Sequence, residues 1–205
     1  LNTDGYDNLC KNGVDFVTVF QETYNPKKYA KIHLDGNKRI FPYRFNAQER
    51  ALKGGMRGVA FGALLGIDDW RKDALATGLH AHLLQAKYPH AQISISVPRL
   101  RPFIHNARQK SGVSEQELAQ IICAYRLFAP YAGITLSTRE NEKFRNGAMH
   151  FGITKLSAGV SAGIGAHSGQ KSGDDQFEIN DLRSVEQMKQ AIKKAGLVAV
   201  FNDHI

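Results

Sequence analysis

The sequence predicts an α/β fold, a partial (β/α) TIM-type barrel of about five βα units with a C-terminal β-α-β tail. Three observations carry that prediction. The runs Val14 to Phe20, Ile93 to Val97, Gly133 to Leu136 and Ile153 to Leu156 are β-branched and aliphatic, as buried strands are. Each turns polar or small at its carboxyl end, in Gln21-Glu22-Thr23-Tyr24, Pro98-Arg99-Leu100-Arg101, Ser137-Thr138-Arg139-Glu140 and Ser157-Ala158-Gly159. The runs alternate with helical segments every thirty residues or so, roughly the length of a βα unit. Parallel strands of this kind aim their carboxyl ends at one common site.

Taken in order, the first strand leads to Asn25-Pro26, which opens a short helix from Lys27 to His33 that Gly36 breaks. Phe45 to Leu52 reads as a helix with Asn46 as N-cap and Gly54-Gly55 as its stop. Met56 to Leu65 is the second strand. Its Gly58 and Gly62, with Gly66 just beyond, leave a nearly bare backbone that suits either close approach of a flat ligand or tight helix packing. Asp68-Asp69 caps the next helix, where Trp70 and Ala74 share a face and Leu75, Leu79 and Leu83 follow at fourfold spacing, up to about Lys87. The third strand is Ala91 to Val97. Its helix begins at Ser114, with a capping box to Glu117 and a staple from Val113 to Leu118. Cys123 lies among Leu118, Ile121, Ile122 and Tyr125 on that helix and is expected to be buried.

The fourth strand, Gly133 to Leu136, precedes a helix near Asn141 to Asn146. The fifth, Ile153 to Leu156, precedes a Gly/Ser-rich segment from Gly159 to Gly173. Phe177 to Ile179 is expected as a short strand, Ser184 to Ala195 as a capped amphipathic helix and Leu197 to Phe201 as a last strand. Residues 1–160 thus hold the barrel units, and 161–205 the glycine-rich loop and tail. A closed eight-unit barrel needs ~250 residues. The strand at Val14 is therefore expected to pair with strands from a segment or chain outside this sequence, since its edge otherwise invites aggregation.

With 205 residues, 42% hydrophobic and 22% charged, the chain can bury a core of its own. Its net charge of +8 comes from Lys and Arg scattered from Lys11 to Lys194 rather than gathered in a stripe, so no nucleic-acid partner is expected. Neither a run of ~18 apolar residues nor a charged-then-apolar leader is found, which predicts no membrane partner and a cytoplasmic setting. The first residue, Leu1, is not Met, and an upstream segment is expected. Cys10 and Cys123 lie too far apart in sequence to form a metal-binding motif, and His80 and His82 diverge on their helix, so no metal ligands are expected in this chain.

Among the candidate groups, Arg139 is a strand-end guanidinium, whose planar fork suits a carboxylate ligand or an ion pair with Glu140 or Glu142. Arg99 and Arg101, between Pro98 and Pro102, point the same way or tie down a loop. Glu22, at the mouth of the first strand, suits an ammonium group, general-base work or a salt bridge to a residue such as Arg44. Gly163-Ile164-Gly165 and Gly169-Gln170-Lys171-Ser172 look like phosphate-loop fragments but lack the Gly-Lys pair that such a loop needs before Ser172.

Six stretches in order resemble one family: Val19 to Asn25, Gly62 to Gly66 with Asp69-Trp70-Arg71, Ser96 to Pro102, Ile122 to Phe128, Leu136 to Glu140 and Gln176 to Ile179. They resemble the 2-iminoacetate synthase family, radical S-adenosylmethionine tyrosine lyases of thiamine thiazole biosynthesis. The related hydrogenase-maturation tyrosine lyase has a further cysteine motif near its carboxyl end, and nothing similar follows Gln176 here. The resemblance implies strands 4 to 8 of a radical S-adenosylmethionine barrel with a biotin and thiamin synthesis-associated tail. It implies S-adenosylmethionine and a [4Fe-4S] cluster as cofactors, the cluster's cysteine triplet lying in a missing N-terminal half. It also implies tyrosine as substrate and the thiazole synthase of thiamine biosynthesis as a partner. By matching motifs, Glu22 and Arg44 are candidates for the aminocarboxylate end of S-adenosylmethionine, and Leu64, Leu65 and Val97 for its adenosine. Arg139 is the candidate anchor of the substrate carboxylate, with Ser157 beside it and Arg99 and Arg101 near. A non-catalytic remnant, or a module binding an amino acid or nucleoside, is the alternative.

Overall fold

A computed structural model describes residues 1–101, 112–160 and 179–201. Its strands are β1 (Phe16–Thr18), β2 (Gly58–Phe61), β3 (Gln92–Ser96), β4 (Gly133–Leu136) and β5 (Lys155–Leu156). They form one sheet in chain order, and every neighbouring pair is parallel. The helices are α1 (Thr3–Lys11), α2 (Pro26–Ile32), α3 (Phe41–Phe45), α4 (Ala47–Lys53), α5 (Trp70–Lys87), α6 (Glu115–Phe128), α7 (Glu142–Ala148) and α8 (Val185–Lys194). This is the α/β half-barrel that the strand pattern predicts. Among the described residues β1 pairs only with β2 and β5 only with β4, so both edges are open.

Strand alternation divides the sheet into two faces. Val59, Phe61, Ile93, Ile95, Ile134 and Leu136 enter a core with Ala74, Ala81 and Leu84 of α5 and Leu118, Ile121, Ile122 and Tyr125 of α6. The alternate residues of the inner strands are Gly58, Ala60, Gln92, Ser94, Ser96, Gly133 and Thr135. Here the glycines answer the choice left open by the sequence. A Cβ on Gly58 would come 2.5 Å from the Phe16 ring, and one on Gly62 would come 2.7 Å from the Phe20 ring. They make room for aromatic rings of the neighbouring chain segment.

Several expectations are corrected. α1 was not foreseen, because Tyr6 is its one fully buried residue; Asn2 caps it by accepting from Gly5 N–H at 2.9 Å. The expected Phe45–Leu52 helix is two helices that meet at Asn46, whose side chain donates to Pro42 O at 3.0 Å instead of capping α4. On α5 the buried face is Asp73, Ala74, Thr77, Gly78, Ala81 and Leu84, while Leu75 and Leu83 are 64% and 66% exposed. Small residues win that face because the helix packs closely: a Cβ on Gly78 would meet the Tyr125 ring at 3.1 Å. Cys123 is exposed, one helical step round from Ile122 and off the buried stripe. Residues 197–201 form no strand: instead of pairing with the open edge of β5, they line a groove of about 620 Å³ with β5 and α8. Of the β-α-β tail, the helix α8 is therefore what the described residues contain; Phe177-Glu178 and the Gly163–Ser172 fragments lie outside them. The capping box at Ser114 forms as expected, and the expected Ser184 cap takes the form of a capping box as well.

Candidate functional site at the carboxyl ends of the strands

Parallel pairing continues past the strands as single bridges, Glu22 to Ala63 and Leu65 to Arg99. Leu64 N–H donates to Glu22 O at 2.8 Å, and Leu100 N–H to Leu65 O at 2.8 Å. These bonds fix the residues after β1, β2 and β3 along one rim. Leu64 is half-buried there. Leu65 and Val97 are 2% and 3% exposed and belong to the hydrophobic core, where alternation puts them, so they back the rim rather than face it with side chains.

Glu22 is the one described non-glycine residue with positive φ, at 71°. That conformation costs about 1–3 kcal/mol, and such outliers concentrate at ligand sites. Its carboxylate lies 3.1 Å from Lys38 Nζ and 3.9 Å from Arg44 Nη2, while Arg44 Nε donates to Phe20 O at 2.7 Å. The next residues hold it in place. Asp73 Oδ1 accepts from Thr23 Oγ1 at 3.0 Å and from Tyr24 N–H at 2.7 Å, and burial raises the Asp73 carboxyl above its ordinary pKa. Tyr24 O–H lies 3.0 Å from His80 Nδ1. Phe45 stacks on His80 at 4.2 Å, and desolvation pushes the His80 pKa down to about 4, so the imidazole is neutral.

At the β3 and β4 ends, Glu140 is 1% exposed and accepts from Arg99 Nε at 3.0 Å, from Arg99 Nη2, and from Arg101 Nη2 at 2.9 Å. Arg99 Nη1 also donates to Val113 O at 2.7 Å. Arg99 is thus the loop tie of the two arginines, its guanidinium committed to a buried carboxylate and a carbonyl. Arg101 is less enclosed, and its Nε is buried without a hydrogen-bond partner among the described residues.

Arg139 is half-buried beside this pair. Burial pulls its pKa below the ordinary arginine value; Glu22 and Glu140 oppose that pull and Arg101 adds to it. A guanidinium remains charged regardless. Ser157 Oγ accepts from Thr138 N–H at 3.1 Å, which places Ser157 against the backbone that carries Arg139. The structure therefore gathers Glu22, Arg44, Leu64, Arg101, Arg139 and Ser157 at one end of the sheet. It adds Lys38, Asp73 and Glu140 in roles that sequence reading missed. The signal for Glu140 was present: one acid among three arginines at adjacent strand ends. Asp73 could have been found as the single acid on the small-residue face of α5.

Among the described residues no group of three His, Cys, Asp or Glu side chains can hold a metal ion. Cys10 is half-buried on α1 and Cys123 exposed on α6, both away from the rim, so the donors present do not fit an iron-sulfur cluster. No described helix is long and apolar enough to cross a membrane.

A parallel half-barrel with charged strand ends defines part of a (β/α) barrel. Residues 96–198 match the Biotin and Thiamin Synthesis associated domain, and the chain belongs to that family. It is 35% identical to 2-iminoacetate synthase of Salmonella typhimurium over 99% of this chain and 54% of that protein. It is 36% identical to the Escherichia coli 2-iminoacetate synthase over 97% of this chain and 53% of that protein. The chain thus spans about half the length of the curated relatives it matches. Among solved structures, it superposes on HydG, a maturase of the [FeFe]-hydrogenase, with TM-score 0.86 and 32% identity, over 96% of this chain and 43% of that one. HydG from Carboxydothermus hydrogenoformans matches at TM-score 0.83 and 33% identity, over 96% and 45% of the two chains. Methylornithine synthase shares the fold, at TM-score 0.70 and 19% identity over 98% of this chain and 57% of that one.

Proposed function

We propose that this chain is the C-terminal portion of a radical S-adenosylmethionine lyase that cleaves the Cα–Cβ bond of tyrosine, giving 2-iminoacetate and p-cresol for thiamine thiazole synthesis. The observation that carries the reading is the pairing on one rim of Arg139, a half-buried guanidinium, with Glu22, an anion that it feels electrostatically. Tyrosine and S-adenosylmethionine both present an ammonium and a carboxylate, and a rim offering both signs of charge suits them.

In this reading Arg139 holds the tyrosine carboxylate by a two-pronged contact, and Ser157 and Arg101 border it. Glu22 accepts from the ammonium of S-adenosylmethionine, Arg44 faces its carboxylate and Leu64 lies against the adenosine, backed by Leu65 and Val97. When bound, S-adenosylmethionine and a [4Fe-4S] cluster with ligands outside this chain would supply the radical chemistry, and these rim residues would hold the aminocarboxylate and adenosine ends of S-adenosylmethionine. The work of these residues is to orient tyrosine and to keep water and stray hydrogen donors from it. The N-terminal half of the barrel is the obligate partner, and a cytoplasmic thiazole synthase is the consumer of the product.

The test mixes this chain with the upstream half, reconstituted anaerobically with iron and sulfide. Formation of p-cresol from tyrosine is expected. An assembled, cluster-loaded complex that binds tyrosine and releases no p-cresol overturns the lyase reading and leaves a binding module. The match to HydG favours a second reading, a hydrogenase-maturation tyrosine lyase. Support of thiazole formation by the reconstituted enzyme separates the two.

A further inference from the structure

The tail returns to the strand end that carries Arg139. Asn180 N–H and Asp181 N–H both donate to Thr138 O, at 2.9 and 3.2 Å, and Asn180 Nδ2 donates to Arg139 O at 2.9 Å. Both carbonyls of the 138–139 segment are thus held by two consecutive tail residues. The other side of the same segment is held by Ser157, through Thr138 N–H. Asp181 fixes the tail itself. Its carboxylate accepts from Arg145 Nη1, and from Arg183 Nη2 at 2.6 Å and Arg183 N–H at 3.0 Å. Arg145, fully buried on α7, also donates to Ser157 O, so one guanidinium ties the tail to the end of β5.

We propose that Asn180 and Asp181 are positioning residues for Arg139, a latch that sets the backbone from which its guanidinium meets a substrate carboxylate. The proposal rests on the reading of Arg139 as the carboxylate anchor. It assigns the tail a part in substrate binding rather than in stability alone. A two-pronged contact tolerates little displacement of the fork, so a small shift of the 138–139 backbone weakens carboxylate binding. Asn180 is the informative position because its side chain is exposed and makes one contact to the segment. Asp181 lies in a buried network whose loss would disturb folding as well.

The experiment uses the full-length enzyme, with kinetics measured separately for tyrosine and S-adenosylmethionine. Asn180→Ala and the near-isosteric Asn180→Asp, which cannot donate as a carboxylate, are compared with Arg139→Ala. Both Asn180 variants are expected to raise the tyrosine KM about fivefold, the effect of one lost hydrogen bond, with kcat and the S-adenosylmethionine KM unchanged. An unchanged tyrosine KM in both Asn180 variants, alongside a large rise in Arg139→Ala, overturns the latch and leaves the anchor standing. Tyrosine binding intact in Arg139→Ala overturns the anchor, and the latch with it. A parallel rise in both substrates' KM values in the Asn180 variants also overturns the latch, because the effect would then be general to the rim.

Discussion

Two acidic residues at the rim, Glu140 and Glu22, are built in opposite ways. Glu140 is sealed, 1% exposed, and accepts three hydrogen bonds from two arginines. Glu22 is only partly covered, has one cation at 3.1 Å and another at 3.9 Å, and sits on a backbone twisted to φ 71°. A carboxylate with every oxygen committed is part of the scaffold, and exchanging its partners for a ligand would strand two arginines. One with loose, half-exposed partners can trade them for a ligand at small cost. The contrast separates a structural end of the rim, at β3 and β4, from an exchangeable end, at β1.

The largest expected effect comes from breaking the sealed end. Glu140→Gln leaves Arg99 buried without its counter-charge, and removing one partner of a buried pair costs about 3–5 kcal/mol. The urea midpoint of the chain should fall accordingly. A loss under about 1 kcal/mol would mean that the β3–β4 cluster is no more structural than an exposed pair, and the distinction would collapse.

Acid should then separate the two ends by order of failure. Burial by itself would raise the Asp181 carboxyl, but hydrogen bonds from Arg183 and Arg145 outweigh it and hold the pKa at about 2. Its folded value lies below the unfolded one, ~3.9, so its contribution to stability is complete above that value and is lost as pH falls through about 2. His80 acts earlier. Its pKa of about 4 means that between there and the unfolded value the unfolded chain binds a proton that the folded chain refuses. Stability from the β1 side is full above pH ~6.5 and erodes as pH drops toward about 4. Amide exchange, corrected for its intrinsic pH dependence, should show Tyr24 N–H losing protection between pH 6 and 4 while Asn180 and Asp181 N–H keep theirs. In His80→Phe the loss should be smaller. Equal loss at both ends would contradict the separation.

Much of this was legible beforehand, and the reasons for the rest are physical. Strand runs with polar ends announced the parallel half-barrel, and the Ser114 capping box and the Ser184 N-cap are local chemistry that reads directly from a few residues. Which leucines of α5 face inward was not local. It depends on how near α6 lies, and Gly78 against the Tyr125 ring decides it. The same holds for the arginines. Arg99, Arg101 and Arg139 look alike in sequence, and only the arrival of Glu140 between the first two divides scaffold from candidate anchor. The hold of Asn180 on Arg139 spans forty-one residues, so no window along the chain could have revealed it.

The smallest effect is the sharpest test of the exchangeable end. Glu22→Gln removes a charge from partly exposed pairs, which are worth about 0–1 kcal/mol, so the melting curve should scarcely move. Glu22→Gly sets two similar costs against each other: glycine loses about 0.5–1 kcal/mol of chain entropy on folding but relieves the strain of a left-handed glutamate, about 1–3 kcal/mol. That variant should be at least as stable as the parent. Both should nonetheless weaken S-adenosylmethionine binding in the full-length enzyme, with tyrosine binding less affected. A residue that holds an unfavourable backbone and contributes little to the fold is there for its ligand. Should Glu22→Gly lose several kcal/mol instead, the carboxylate belongs to the scaffold after all, and both ends of the rim are structural.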